Sequence, residues 1–404
     1  MIKRIITIAI TVAIAAHAQG QNQLDAKIRP GNGLEIRLND GDYTFNLGGF
    51  IQSTFRYLDP ATGEAENKFG VKRGFFSLAG EARAEKLNFL LQMDFAATSP
   101  LLDAWLAYRP LPSITVSAGQ KQTFTNNREM TLAESHLAMT DRSPLSLLLS
   151  GAGREFGIFV EGRFAPGGIP VLPALAVTSG DGLNAFGSTS IDVDLGGLKY
   201  GGRIDVLPLG DFIFGNENNV ADLARERAPR LKIGIAASYN RGASHPVGEG
   251  HGAFTLYDED GVAAYPDYRK VYVDLLFKYR GLSLLGEYAN SSATALQRLY
   301  TAPGGVARLL LGQVSHYLRL GNAYNLQAGY ALPSGWALDL RYTRLSPEFK
   351  QEAASLLRRV DLREACITKY FADNRFKVQG SVAREERDGQ ERDTRVELLV
   401  QILF

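Results

Sequence analysis

The chain has 404 residues, 44 Lys and Arg against 43 Asp and Glu, 45% hydrophobic residues and one cysteine, Cys366. Near-neutral charge excludes a nucleic-acid partner held by a basic surface, and a lone cysteine excludes a disulfide-stapled scaffold. After the leader no run approaches the roughly 18 apolar residues of a membrane helix, so any membrane span must be a β-barrel.

The first residues, "MIKRIITIAITVAIAAHAQG", combine basic Lys3 and Arg4, an apolar run from Ile5 to Ala16, and Ala16 and Ala18 flanking His17. This is the pattern of a signal peptide, residues 1–18, and it predicts export. Residues 19–42 are polar and are expected on the periplasmic side, with the barrel over 43–404.

From Tyr43 the side chains alternate. "YTFNLGGFIQSTFRY" sets Tyr43, Phe45, Leu47, Ile51, Phe55 and Tyr57 against Thr44, Asn46, Gln52, Thr54 and Arg56. Period-2 alternation gives a strand with one greasy and one polar face. Aromatics at both ends of the greasy face suit the two interfacial girdles of a membrane barrel. "VYVDLLFKYRG", "NLQAGYALP", "WALDLRYT" and the final "RVELLVQILF" repeat the pattern.

Strand centres fall near Phe50, Phe76, Gln92, Leu106, Val116, Val160, Ala176, Arg203, Ile235, Asp274, Leu284, Ala328, Leu338, Thr368, Gln379 and Val400. Parity alone also fits a soluble sandwich. Connection lengths separate the two. Tight turns such as "RPLPS", "YRGLS" and "ALPSGW" alternate with long polar stretches at 59–71, 122–154, 241–269, 290–322 and 347–361. The predicted fold class is therefore all-β, a transmembrane antiparallel barrel of about sixteen strands, its last strand closing on its first. One connection at the short end, residues 211–230, is long and charged, and nothing in the sequence accounts for it.

"VKRGFFSLAGEA", "LLDAWLAYRPLPSITVSAGQKQTF", the stretch from "NNREM" to "GREFGIFVEGRF", and the last strand together resemble the phosphate-selective porin O and P family of outer-membrane channels. The match is best over 70–164 and at the C-terminal strand. The resemblance implies passage of small anions through a homotrimer of sixteen-stranded barrels, set in membrane lipid and lipopolysaccharide in a Gram-negative outer membrane. It also implies a third loop, about 123–153, folded inward, with a short helix expected in "TLAESHLAMTDRS". The matched positions are Arg73 and Lys121, with acidic Asp94 as neighbour. Arg128, Arg142 and Arg154 lie on or beside that loop.

Strand parity itself turns Arg163, Arg203 and Arg341 into the lumen with Asp103, Glu161, Asp205 and Asp339. Basic rings select anions, whereas alternating Arg and Asp or Glu pair with each other and discriminate little. Both readings stand at this point, and lumen-parity Trp105, Phe159 and Tyr272 allow sugar stacking as an alternative. A plugged structural or adhesive barrel is a further alternative, its contact surface or trimer latch being the apolar stretch from Ala293 to Leu320. No metal spacing, nucleophile elbow or cofactor motif is present, "YDEDG" at 257–261 reads as a solvated loop, and no enzyme is expected.

Overall fold

The computed structural model describes residues 24–404 except 30, 32, 40–41, 83–85, 152, 183–195, 249–251 and 390; the leader and Arg83 lie outside the described residues. An N-terminal hairpin, β1 (Leu24–Arg29) and β2 (Gly33–Leu38), lies within the polar stretch before the barrel. The barrel then runs through β3 (Tyr43–Asp59), β4 (Glu66–Ala82), β5 (Leu87–Asp94), β6 (Leu101–Leu111), β7 (Ile114–Gln122), β8 (Arg154–Gly162), β9 (Val171–Thr178) and β10 (Lys199–Val206). It continues with β11 (Arg230–Asn240) and, past the small loop pair β12 (Leu256–Tyr257) and β13 (Ala263–Ala264), with β14 (Asp267–Tyr279), β15 (Leu282–Thr294) and β16 (Gly321–Ala331). The last four strands are β17 (Trp336–Pro347), β18 (Val360–Tyr370), β19 (Phe376–Arg387) and β20 (Glu391–Leu403).

Each barrel strand pairs antiparallel with the next, and β20 pairs with β3 from Thr394↔Asp59 to Leu403↔Phe50, which closes the sheet. All the strand centres read from the sequence lie inside barrel strands. Closure leaves no edge for lipid to strip of partners, which in hydrocarbon would cost several kcal/mol per orphaned group. The outside is apolar: Leu106, Leu175, Ile235, Leu326, Leu340, Val382 and Ile402 are all exposed on it. Phe371 stacks on Phe376 at the short-turn end, and Tyr288 packs on Tyr324 at the long-loop end, the expected girdle positions.

Two expectations need correction. The stretch 59–71 is not a long loop, because β3 and β4 run on as a ladder to Leu58↔Glu66 and leave only 60–65 as the connection. In the apolar stretch from Ala293 to Leu320, packing accounts for part of the leucine content, since Leu299, Leu309, Val314, Leu318 and Leu320 form one core with Ala243, Leu256 and Tyr268 from the neighbouring loop and strand, while Val306, Leu310 and Leu311 stay exposed. In "YDEDG" the Asp258 carboxylate accepts from the Asp260 and Val262 amides, so the acidic loop is a self-capped turn.

Candidate functional site in the barrel lumen

The connection from β7 to β8 enters the barrel and crosses it. It carries α1 (Arg128–Thr131), a single 3-10 turn at Glu134–His136, and α2 (Pro144–Leu149). The helix expected within "TLAESHLAMTDRS" is thus only that turn; the helices flank it, with Ser143 capping α2 through the Ser146 amide and Pro144 at its first position. Apolar Leu145 and Leu149 of α2 pack on Ala236, Tyr272, Ala289, Ala323 and Leu345 of the wall.

Ion pairs fix the rest of this loop to the wall. On β10 and β14, Arg128 donates to Asp205 from Nη1 (2.9 Å) and to Asp274 from Nε (2.9 Å), and Arg203 donates to the same two carboxylates at 2.6–2.8 Å. Gly234 on β11 makes room for this cluster, since a Cβ there would stand 2.1 Å from an Arg203 Nη and 2.5 Å from an Arg128 Nη. Arg142 and Arg154 share Glu134, at 2.9 and 3.2 Å, and Arg154 also reaches Asp103. Arg341 is held by Glu129 of the loop and by Glu364 of β18.

Opposite, Lys72 bridges Asp141 (2.9 Å) and Glu397 (2.8 Å), and Arg73 donates to Asp141 and to Gln52. Lys72 was not among the expected residues, because strict alternation turns it outward. A β-bulge between Gln52 and Ser53, where Arg73 faces Gln52 but Val71 faces Ser53, turns Lys72 and Arg73 inward together.

Glu134 and Asp141 sit on the loop, not on a spanning strand. Burial alone would raise both carboxyls, but Arg154 and Arg142 around Glu134, and Lys72 and Arg73 around Asp141, hold them well below the usual carboxylate range. A native pKa below the unfolded one stabilises at every pH above about 4 and is lost only as pH falls through the depressed value. Glu134 and Asp141 should therefore add nothing to the pH dependence of barrel melting from neutral to mildly acidic pH, and Glu134→Gln/Asp141→Asn should show the same slope there as the parent; a different slope would contradict these pairings.

Three expected residues play other parts. Asp94 is buried and accepts from the Gly74 and Ala96 amides, both at 2.9 Å, so it secures a turn. Arg163 is half-exposed at the short-turn end and donates to Asp211. Lys121 is only partly buried; its Nζ meets Glu161 at 2.5 Å and lies 5.5 Å from the Trp105 ring and 5.2 Å from the Phe159 ring.

The long connection 207–229 also folds inward, from the opposite end. Lys278 of β14 donates to the carbonyls of Asn216 (2.6 Å), Asn219 (2.8 Å) and Ala221 (2.9 Å), while Asp222 accepts from the Gly281 and Glu226 amides. Val220 and Ala221 pack with Leu132 and Ala138 of the first loop against Leu276, Leu285, Ala331, Ala337 and Tyr370. The lumen beside β14–β18 is filled by the two loops and closed to bulk solvent, contrary to the uniformly wet interior that parity implied.

Water has room on the other side. Lumen-facing Lys72, Arg73, Ser77, Gln92, Trp105, Lys121 and Glu161 on β4–β8 are partly exposed, whereas Asp339, Thr343, Thr368, Lys377 and Gln401 on β17–β20 are fully buried. A recess of about 420 Å³ lies on that open side, lined by Trp105, Lys121, Arg154, Asp103, Glu134 and Gln92. Of the aromatics that parity offered for sugar stacking, only Trp105 reaches it; Tyr272 is covered and donates to the Leu149 carbonyl, and Phe159 is fully buried.

No family model and no curated protein matches the sequence. Among solved structures the chain is similar to the outer membrane channel DcaP of Acinetobacter baumannii (TM-score 0.55, 13% identity, 90% of this chain and 97% of that one). It is also similar to Pseudomonas putida OprB (TM-score 0.55, 10% identity, 90% and 94%) and to OmpT, an outer membrane protein of Vibrio cholerae, in its trimer form (TM-score 0.51, 10% identity, 89% and 99%). The fold is that of a Gram-negative outer-membrane porin. At these identities the likeness concerns the barrel and reaches no subtype.

Proposed function

We propose that the protein is an outer-membrane porin passing small hydrophilic solutes by passive diffusion along the β4–β8 side of the lumen, without strong preference for either charge. The observation that carries this reading is the pairing of the lumen: Arg73, Arg128, Arg142, Arg154, Arg203 and Arg341 each make an ion pair with a carboxylate. A pore wall of paired charges orients dipolar solutes and contributes little net field. Lys121, Trp105, Arg154 and Asp103 at the open recess are the residues we assign to solute contact.

The finer reading, preference for phosphate-like anions, has one observation in its favour: Lys72, Arg73 and Lys121 all stand on the open side. Reversal potential in a KCl gradient across a planar bilayer decides between the two. The expected result is a value near zero, moved toward cation preference by Lys121→Glu; strong anion preference lost in Lys121→Ala would replace the first reading by the second. Absence of any conductance would leave a plugged structural barrel. We further assign a homotrimeric assembly, in keeping with the exposed Phe69 and Phe95 on the outside near β4. Cross-linking in detergent tests it.

A further inference from the structure

On the outer face of β17–β20, charge continues where apolar side chains give out. The register places Leu340, Ala365, Val382 and Val396 side by side in one row. Two residues further toward the long loops, about 6.6 Å along the strands, the next row on the same face is Tyr342, Arg363, Arg384 and Thr394. The row beyond is Arg344, Asp361, Glu386 and Arg392. Leu340 and Val382 are each 53% exposed, which fixes this face as the outer one.

Arg363 and Arg384 are directly opposed partners in the ladder, and both are exposed. Like charges in that arrangement repel. The neighbouring carboxylates do not relieve them. Asp361 accepts from the Tyr342 hydroxyl at 2.8 Å and is paired with Arg344 and Arg359, while Glu386 is paired with Arg392. Among the described residues neither Arg363 nor Arg384 makes an ion pair or a hydrogen bond. Between them lies a small recess of about 80 Å³, lined by Asp361, Arg363, Arg384, Glu386 and Arg392.

Two unrelieved guanidiniums, pointing away from the lumen at the upper limit of the apolar belt, stand at the depth of lipid headgroups. We propose that Arg363 and Arg384 together bind the phosphate of an outer-leaflet lipid headgroup, each fork donating to its oxygens, with the acyl chains lying over the Leu340, Val382 and Val396 row. A phosphate is the fitting anion because two planar forks converging on one recess match its several acceptor oxygens. The inference rests on the membrane setting of the proposed porin and on none of its lumen chemistry.

The test uses the purified full barrel in detergent, titrated with diphosphoryl lipid A, with the same glycolipid stripped of phosphate, and with inorganic phosphate, while native mass spectrometry counts bound lipid. The wild type is expected to hold the phosphorylated lipid, and Arg363→Gln/Arg384→Gln to weaken it by about tenfold or more. The phosphate-free lipid should bind no better to the wild type than to the double variant. Inorganic phosphate should not displace the lipid, because it lacks the acyl contacts.

Retention by the double variant, equal binding of the phosphate-free lipid, or displacement by inorganic phosphate would each overturn the proposal. So would self-association of wild-type barrels that the double variant abolishes. Heat-modifiable gel migration verifies that the variant is folded, and Arg363→Lys/Arg384→Lys, which keeps the charge, should retain part of the binding. Single-channel conductance on the same samples keeps the two readings apart: lost lipid with normal current bears on this site alone, and absent current bears on the porin reading alone.

Discussion

Replacing Arg128 with methionine is expected to release the inward loop, giving larger and noisier single-channel currents and a lower melting temperature of the barrel. The guanidinium supplies donors to both Asp205 and Asp274, and Asp274 is fully buried. Its removal leaves Arg203 alone between two carboxylates, with Lys232 reaching only Asp205 at 3.4 Å. Breaking one partner out of a buried pair costs about 3–5 kcal/mol. The loop makes further contacts, so the barrel itself should still form. Arg128→Met/Asp274→Asn should recover part of the loss, since it removes the stranded charge as well. Unchanged current together with unchanged melting would mean that the cluster does not hold the loop.

The second large effect is expected at the short-turn end. Exchanging residues 211–228 for a two-residue turn, with Lys278→Met in the same chain, should open the β14–β18 side and raise the conductance. Lys278 exists in a dry place because three backbone carbonyls of this segment surround its ammonium. Hydrogen bonds to a charged group contribute about 1.5–3 kcal/mol each. Lys278→Met alone should therefore loosen the segment, visible as flicker in the current, without emptying that side of the barrel. If the shortened chain conducts like the parent, the segment does not limit the path.

The strands were legible because each obeys a local rule: apolar side chains recur every second residue wherever one face meets lipid. "VYVDLLFKYRG" is sufficient by itself to orient Val271, Val273 and Leu275 outward and Tyr272, Asp274 and Lys278 inward. What lay beyond the sequence was set by partners distant along the chain. Lys72 breaks parity because Ser53 faces Val71, a fact about two strands rather than one. The inward course of 207–229 depends on Lys278 and Gly281, and Val220 reads as a loop residue until Leu132, Ala138 and Tyr370 surround it. Arginine's role was equally hidden: alternation put Arg203 and Arg341 in the lumen, but of the acids that neutralise them only Asp205 is near in sequence; Asp274 lies two strands away, Glu364 on the next strand and Glu129 on the loop.

The N-terminal hairpin carries a consequence for assembly of the seam. One edge of β3 is divided between two tenants: β20 takes it from Asp59 down to Phe50, and β2 takes it from Leu47 to Tyr43. Phe404 exchanges backbone hydrogen bonds with Gly49, so only Gly48 separates the closing strand from the hairpin. A slip of β20 by two residues toward the short turns would preserve which side chains face lipid, and alternation alone would not forbid it. The hairpin does forbid it, since the next places on that edge are filled. It acts as a doorstop, fixing how far the final strand can travel as the cylinder zips shut.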